Sequence, residues 1–146
     1  MEPRLDYYTA SPEALKAVLA LEAASFALSI EKPLIELVKL RVSQVNDCAF
    51  CADMYAMSAR RNGESERRLF AVPVWRESPF FTPRERAALA WAEAVTLLAE
   101  SKVPDALYAE LCSEFDARER VDLTVAIGAI NVWNRLAVSF RQLPAL

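Results

Sequence analysis

Glycine occupies only two of the 146 positions, Gly63 and Gly128. A fold rich in tight β-turns needs more, because glycine is the residue that takes positive φ without strain. A glycine-rich loop cradling phosphate is excluded on the same ground. No alternating apolar–polar run of the strand type stands out. What recurs is apolar residues at helical spacing, punctuated by Pro12, Pro33, Pro73, Pro79, Pro83 and Pro104. The chain therefore reads as all-α, six to eight helices forming one compact domain over residues 1–146. At 54% hydrophobic and 25% charged residues it can build a core without a disulfide or metal staple.

Local signals set the helix boundaries. Ser11-Pro12-Glu13 starts a helix that runs through Leu15, Val18, Leu21 and Glu22 to about Leu28. Pro33 opens a second, continuing toward Asn46. Asn46-Asp47 offers a cap for a third, Cys48 to about Asn62, closed by Gly63. Ser65 begins a short helix limited by Pro73. Thr82-Pro83-Arg84-Glu85 is a capping box for a helix reaching Glu100. Pro104 begins another, and Asp116 to Glu119 resembles a second capping box opening a long last helix to about Arg141.

The chain has no histidine, which removes the commonest general base, the commonest metal ligand and every Ser-His or Cys-His pair. Lys plus Arg is 17 against 20 for Asp plus Glu, a net charge of −3 that disfavours nucleic acid as a partner. Acidic and polar residues stand near the N-terminus where a signal peptide would have its apolar stretch. The most apolar run, Val121 to Val138, holds Asp122, Asn131, Asn134 and Arg135, as a buried helix does and a membrane span does not. A cytoplasmic location is expected, and three cysteines there do not suggest a structural disulfide framework.

Chemistry concentrates in Asn46-Asp47-Cys48-Ala49-Phe50-Cys51. Two cysteines three apart on a helix lie about 60° apart around its axis, so both thiols share a face. In a first turn they meet unpaired N–H groups and the positive end of the helix dipole, which favour a thiolate. The spacing suits a redox pair in which one sulfur attacks and the other resolves. Zinc also uses this spacing, but a site needs four ligands, and Cys112 alone remains to join Cys48 and Cys51. A thioredoxin fold is disfavoured because a helix, not a strand, precedes the pair. The plain reading of the cysteines is as buried inert thiols, and Cys112, among Leu107, Leu111 and Phe115, reads as core.

The string from Glu36 to Cys51, Glu36-Leu37-Val38-Lys39-Leu40-Arg41-Val42-Ser43-Gln44-Val45-Asn46-Asp47-Cys48-Ala49-Phe50-Cys51, resembles the core motif of the alkylhydroperoxidase D branch of the carboxymuconolactone decarboxylase superfamily. The likeness continues through Ala59-Arg60, Gly63-Glu64, Arg68-Leu69, Trp75-Arg76-Glu77, Thr82 to Glu93, Ile130-Asn131 and Asn134-Arg135. It implies an all-helical fold, homo-oligomers, and a peroxiredoxin-like dithiol peroxidase or disulfide oxidoreductase acting on small organic hydroperoxides without a bound cofactor. It further implies Cys51 as the attacking sulfur, Cys48 as the resolving one and Glu36 as the carboxylate of a proton relay. An external dithiol, a lipoyl-bearing protein in the best-known members, would reset the pair.

The resemblance fails at one telling position. Where the family has histidine four residues after the second cysteine, this chain has Tyr55. A phenol with an unperturbed pKa of about 10 is a poor base at neutral pH. Either Glu36 activates the thiol directly or through water with Tyr55 orienting it, or peroxidase activity is weak. On the residues alone, Glu36 reads as an ordinary helix carboxylate and Tyr55 as a packing aromatic. A non-redox lyase of the lactone decarboxylase type, or a non-catalytic oligomeric module, stand as alternatives. Asn131, Asn134 and Arg135 are expected to bond across helices or subunits, and the mixed charges from Arg60 to Arg68 to form a solvated corner.

Overall fold

The computed structural model describes residues 2–145. Nine α-helices and one 3₁₀ turn form an all-α domain, with no strand among the described residues. They are α1 (Tyr7–Ala10), α2 (Pro12–Ala27), α3 (Lys32–Val45), α4 (Ala49–Arg61), α5 (Glu66–Ala71), a 3₁₀ turn (Val72–Glu77), α6 (Pro83–Thr96), α7 (Leu98–Ser101), α8 (Asp105–Glu114) and α9 (Ala117–Phe140). Nine is one more than the expected six to eight; α1 and α7, for which no start signal is read, are single turns of four residues.

The central element is α3. Every residue from Leu34 to Leu40 is buried, so this helix has no solvent face along that stretch. It packs against α4, α6 and α9. Each of its fully buried aliphatic side chains contributes about 1.5–3 kcal/mol. The buried alanines of α6, from Ala87 to Ala94, let neighbouring backbones approach closely. By length and composition α9 is apolar enough to cross a membrane. Its buried face, with Leu123, Ala126, Ile127, Ile130 and Ala137, is instead spent on the core, and it packs against α2, α3 and α6.

Both capping boxes form: Thr82 with Glu85, and Asp116 with Glu119, exchange side-chain and backbone hydrogen bonds. At α2, Ser11 stands at the N-cap but its side chain makes no capping bond, so Pro12 carries that boundary. The expected helix to Glu100 breaks at Leu97, where Ser101 Oγ donates to the Ala94 carbonyl at 2.6 Å and turns the chain. The chain does not stop helically at Pro73 but continues as the 3₁₀ turn, kinked at Val74. Cys112, expected in the core, is exposed. Its neighbour Leu111 is the buried residue, and one step along a helix rotates a side chain by about 100°, which leaves Cys112 outside, accepting from Arg120.

Candidate active site

The site forms where α3 hands over to α4. Asn46 ends α3 through its N–H to the Val42 carbonyl, and Asp47, at φ 52°, turns the chain in the left-handed region. Asn46 and Asp47 do not cap α4 as expected; Cys48 itself is the N-cap residue. The Asn46 amide turns across the fold instead, donating to Asn131 Oδ1 at 3.0 Å and to Asn134 Oδ1 at 2.8 Å. Asn134 in turn donates to Ser43 Oγ at 3.2 Å. This ladder locks α9 to the end of α3 and sets the Asn134 amide beside both sulfurs. The expected cross-helix role of Asn131 and Asn134 is realised here.

Cys48 and Cys51 are free thiols, 2% and 1% exposed. They form a close pair, and each acts on the ionisation of the other. The Cys51 thiol pulls Cys48 down to about 7 against the cost of burial, with help from the Cys51 backbone N–H and the Asn134 amide. The facing Cys48 thiol, burial and the charge on Cys48 push Cys51 well above the ordinary thiol range. A cleft of about 370 Å³ reaches Cys48 between Arg4, Asp47, Val138 and Arg141; Cys51 is not part of its wall.

Behind the sulfurs, the Tyr55 hydroxyl donates to Glu22 Oε1 at 2.5 Å. Lys39 Nζ donates to the same oxygen and to Ser25 Oγ, both at 2.7 Å, and lies 4.2 Å from the Phe26 ring centre. Lys39 is 0% exposed, and burial lowers its pKa although Glu22 opposes the shift. Burial and the charge of Glu22 push the Tyr55 phenol up, so it remains a donor. Glu22 Oε2 is buried and has no partner among the described residues. The charge of Glu22 also bears on Cys51.

Glu36 is bonded away from the thiols. It is buried, but it accepts from Ser58 Oγ at 2.6 Å and Asn62 Nδ2 at 2.7 Å, at the far end of α4. Ser58 lies about 10 Å along the helix axis from Cys51, at 1.5 Å per residue. The carboxylate that meets Tyr55 is Glu22, on α2. The structure thus brings Cys48, Cys51 and Tyr55 together; no hydrogen bond joins Glu36 to them, although its charge bears on Tyr55. Glu22 carries a signal in the sequence, since it stands on the inward stripe Leu15, Val18, Glu22 and Ser25, where a carboxylate is out of place. Lys39 likewise interrupts the buried run of α3. No group of three or more metal-type ligands is brought together among the described residues.

Residues 12–94 match the carboxymuconolactone decarboxylase family. An uncharacterized protein of Bacillus subtilis (strain 168), YdfG, is 40% identical over 139 residues, covering 95% of each chain. A protein of unknown function from Agrobacterium tumefaciens, put forward as an antioxidant defence protein AhpD, has a crystal structure that superposes with a TM-score of 0.97 at 48% identity, covering 99% of each chain. The apo debrominase Bmp8 shares the fold, with a TM-score of 0.84 over 94% of this chain and 74% of its own, at 21% identity.

Proposed function

The chain belongs to the carboxymuconolactone decarboxylase family, with an alkylhydroperoxidase D-like fold, and from that footing we propose that it is a thiol-dependent peroxidase and disulfide oxidoreductase. The observation that carries the reading is the pair itself: two free thiols close together at the start of α4, one of them, Cys48, in the wall of a cleft and lowered to about 7.

Access and acidity favour Cys48 as the attacking sulfur, the reverse of the order that the family resemblance implies. The Cys48 thiolate attacks the terminal oxygen of a small organic hydroperoxide. The O–O bond breaks, Cys48 becomes a sulfenic acid, and the alkoxide takes up the proton that Cys48 released on ionising and leaves as an alcohol. Cys51 then attacks the sulfenic sulfur, forming the disulfide and releasing water. Glu22 Oε2, the free acceptor, takes the Cys51 proton and returns it to the leaving hydroxide, which completes the water, while the Tyr55 and Lys39 bonds to Oε1 hold the carboxylate in place. An external dithiol, of which a lipoyl-bearing protein is one form, reduces the disulfide by exchange from the Cys48 side.

This cycle fits the reducing cytoplasm, where the dithiol form is kept ready. A homo-oligomer is part of the reading, supported by an apolar groove of about 440 Å³ between α4 and α5, with Phe70 78% exposed beside it. One equivalent of an organic hydroperoxide added to reduced protein should consume both thiols and give a Cys48–Cys51 disulfide. With Cys51→Ser it should leave a trappable sulfenic acid on Cys48. Persistence of both thiols in the wild type returns the chain to the non-redox branch of its family.

A further inference from the structure

The segment before α2 is built into this site. Asp6 caps α1 by accepting from the Tyr8 and Thr9 N–H groups. Arg4 N–H donates to the Phe140 carbonyl at 2.9 Å, and its guanidinium to the Ser139 carbonyl at 3.1 Å. The Tyr7 ring lies 5.9 Å from Phe140 and stacks on Tyr8 at 4.8 Å. Arg4 itself walls the cleft over Cys48. These bonds hold Tyr7 in the hydrophobic core that also takes in Cys48 and Cys51.

Tyr7 is 3% exposed, and its hydroxyl is buried with no hydrogen-bond partner among the described residues. An unpaired buried hydroxyl is costly, and phenylalanine would fill the same space without that cost. A group in that position is explained by a partner that acquires charge during function. The neighbours that do so are the sulfurs, whose charge reaches the phenol. We propose that the Tyr7 hydroxyl donates a hydrogen bond to the Cys48–Cys51 pair once one sulfur is ionised, supporting the thiolate. The inference rests on the redox reading of that pair.

Burial, Tyr8 and the sulfurs all push the Tyr7 phenol above its ordinary range, so it remains protonated and serves as a donor rather than a base. The Asn134 amide and the Cys51 backbone N–H are the other neutral donors to the pair. The charged groups facing it are Arg4, Asp47 and Arg141 at the cleft and Glu22 behind. None of these is removed by changing Tyr7.

The test is a titration of thiolate absorbance on the reduced full chain. Tyr7→Phe should raise the lower thiol pKa by about one unit, because a hydrogen bond to the charged form is lost. Tyr8→Phe should leave it unchanged. Peroxide turnover of Tyr7→Phe should fall about fivefold at neutral pH, following the thiolate fraction, and recover at alkaline pH. Thermal stability should hold or rise, since the lost hydroxyl made no bond in the reduced protein. A Tyr7→Phe titration identical to wild type overturns the inference, as does an equal shift in Tyr8→Phe. The titration uses no peroxide: a shift without turnover keeps this inference and removes the peroxidase reading, and turnover without a shift does the reverse.

Discussion

The Tyr55 hydroxyl donates to Glu22 Oε1 across 2.5 Å, joining the helix that carries the thiols to a carboxylate 33 residues earlier in the chain. The relay position four residues after the second cysteine therefore retains a proton-bearing group with a carboxylate behind it, although that group is a phenol and the carboxylate comes from α2. This relationship separates Glu22 from Glu36. Glu22→Gln should lower peroxide turnover by about a hundredfold, within the usual range for a positioned proton acceptor. Glu36→Gln should leave turnover within about twofold and appear as a loss of stability, because Ser58 and Asn62 lose a charged acceptor. Steady-state rates and denaturant midpoints of the two variants decide the assignment; equal rate losses would contradict it.

Tyr55→Phe keeps the ring that packs beside Lys39 and removes only the hydroxyl. Turnover should fall about tenfold or more, with the fold intact. Tyr55→His restores a base that titrates near neutrality and should match or exceed the wild-type rate. A Tyr55→Phe enzyme as fast as wild type would show that the hydroxyl only fills space.

Lys39 has a wholly buried side chain, and its ionic partner is Glu22. Lys39→Met should cost about 3–5 kcal/mol, chiefly by leaving the Glu22 charge without its counter-ion. The double variant Lys39→Met with Glu22→Leu should recover most of that loss, since a well-packed apolar pair can replace a buried ion pair. A double-mutant cycle in urea measures the coupling, and simple additivity would show that the two side chains do not act as a pair.

Glu93 joins Arg41 at 2.6 Å, Arg76 at 2.6 Å and the Trp75 indole at 2.9 Å. Burial pushes its carboxyl up, but the Trp75 and arginine hydrogen bonds outweigh it and hold it below the usual range. A depressed folded pKa contributes stability that is fully present above the unfolded value of about 4.3 and is lost as pH falls through the folded one. Glu93→Gln should thus cost about 1.5–3 kcal/mol at pH 7, and the gap to wild type should close under acid. A gap independent of pH would mean that the carboxylate charge contributes nothing.

What could be read in advance was local. The Thr82 and Asp116 capping boxes involve residues three apart, so a short window contains their whole cause. The pairing of Cys48 and Cys51 is local for the same reason. The site around them is not. Glu22 meets Tyr55 from 33 positions away, and Asn46 meets Asn134 from 88. Asn46 shows the limit well: its local chemistry suits a helix cap, but two asparagines of α9 offered its amide better-placed acceptors. Glu36 shows the converse: its place in the motif matches a relay, while its hydrogen bonds go to Ser58 and Asn62, partners that the motif does not contain. Cys112 was misplaced by one helical step, a difference that apolar company alone does not resolve.

The most direct measurement is consumption of an organic hydroperoxide by the reduced protein with a dithiol in excess, across a pH series, for wild type, Cys48→Ser and Cys51→Ser. The account predicts multiple turnovers by wild type, with a rate rising through about pH 7 as Cys48 ionises, and no sustained turnover by either variant. Equal rates for wild type and both variants, or a wild-type rate no faster than the buffer, would contradict it.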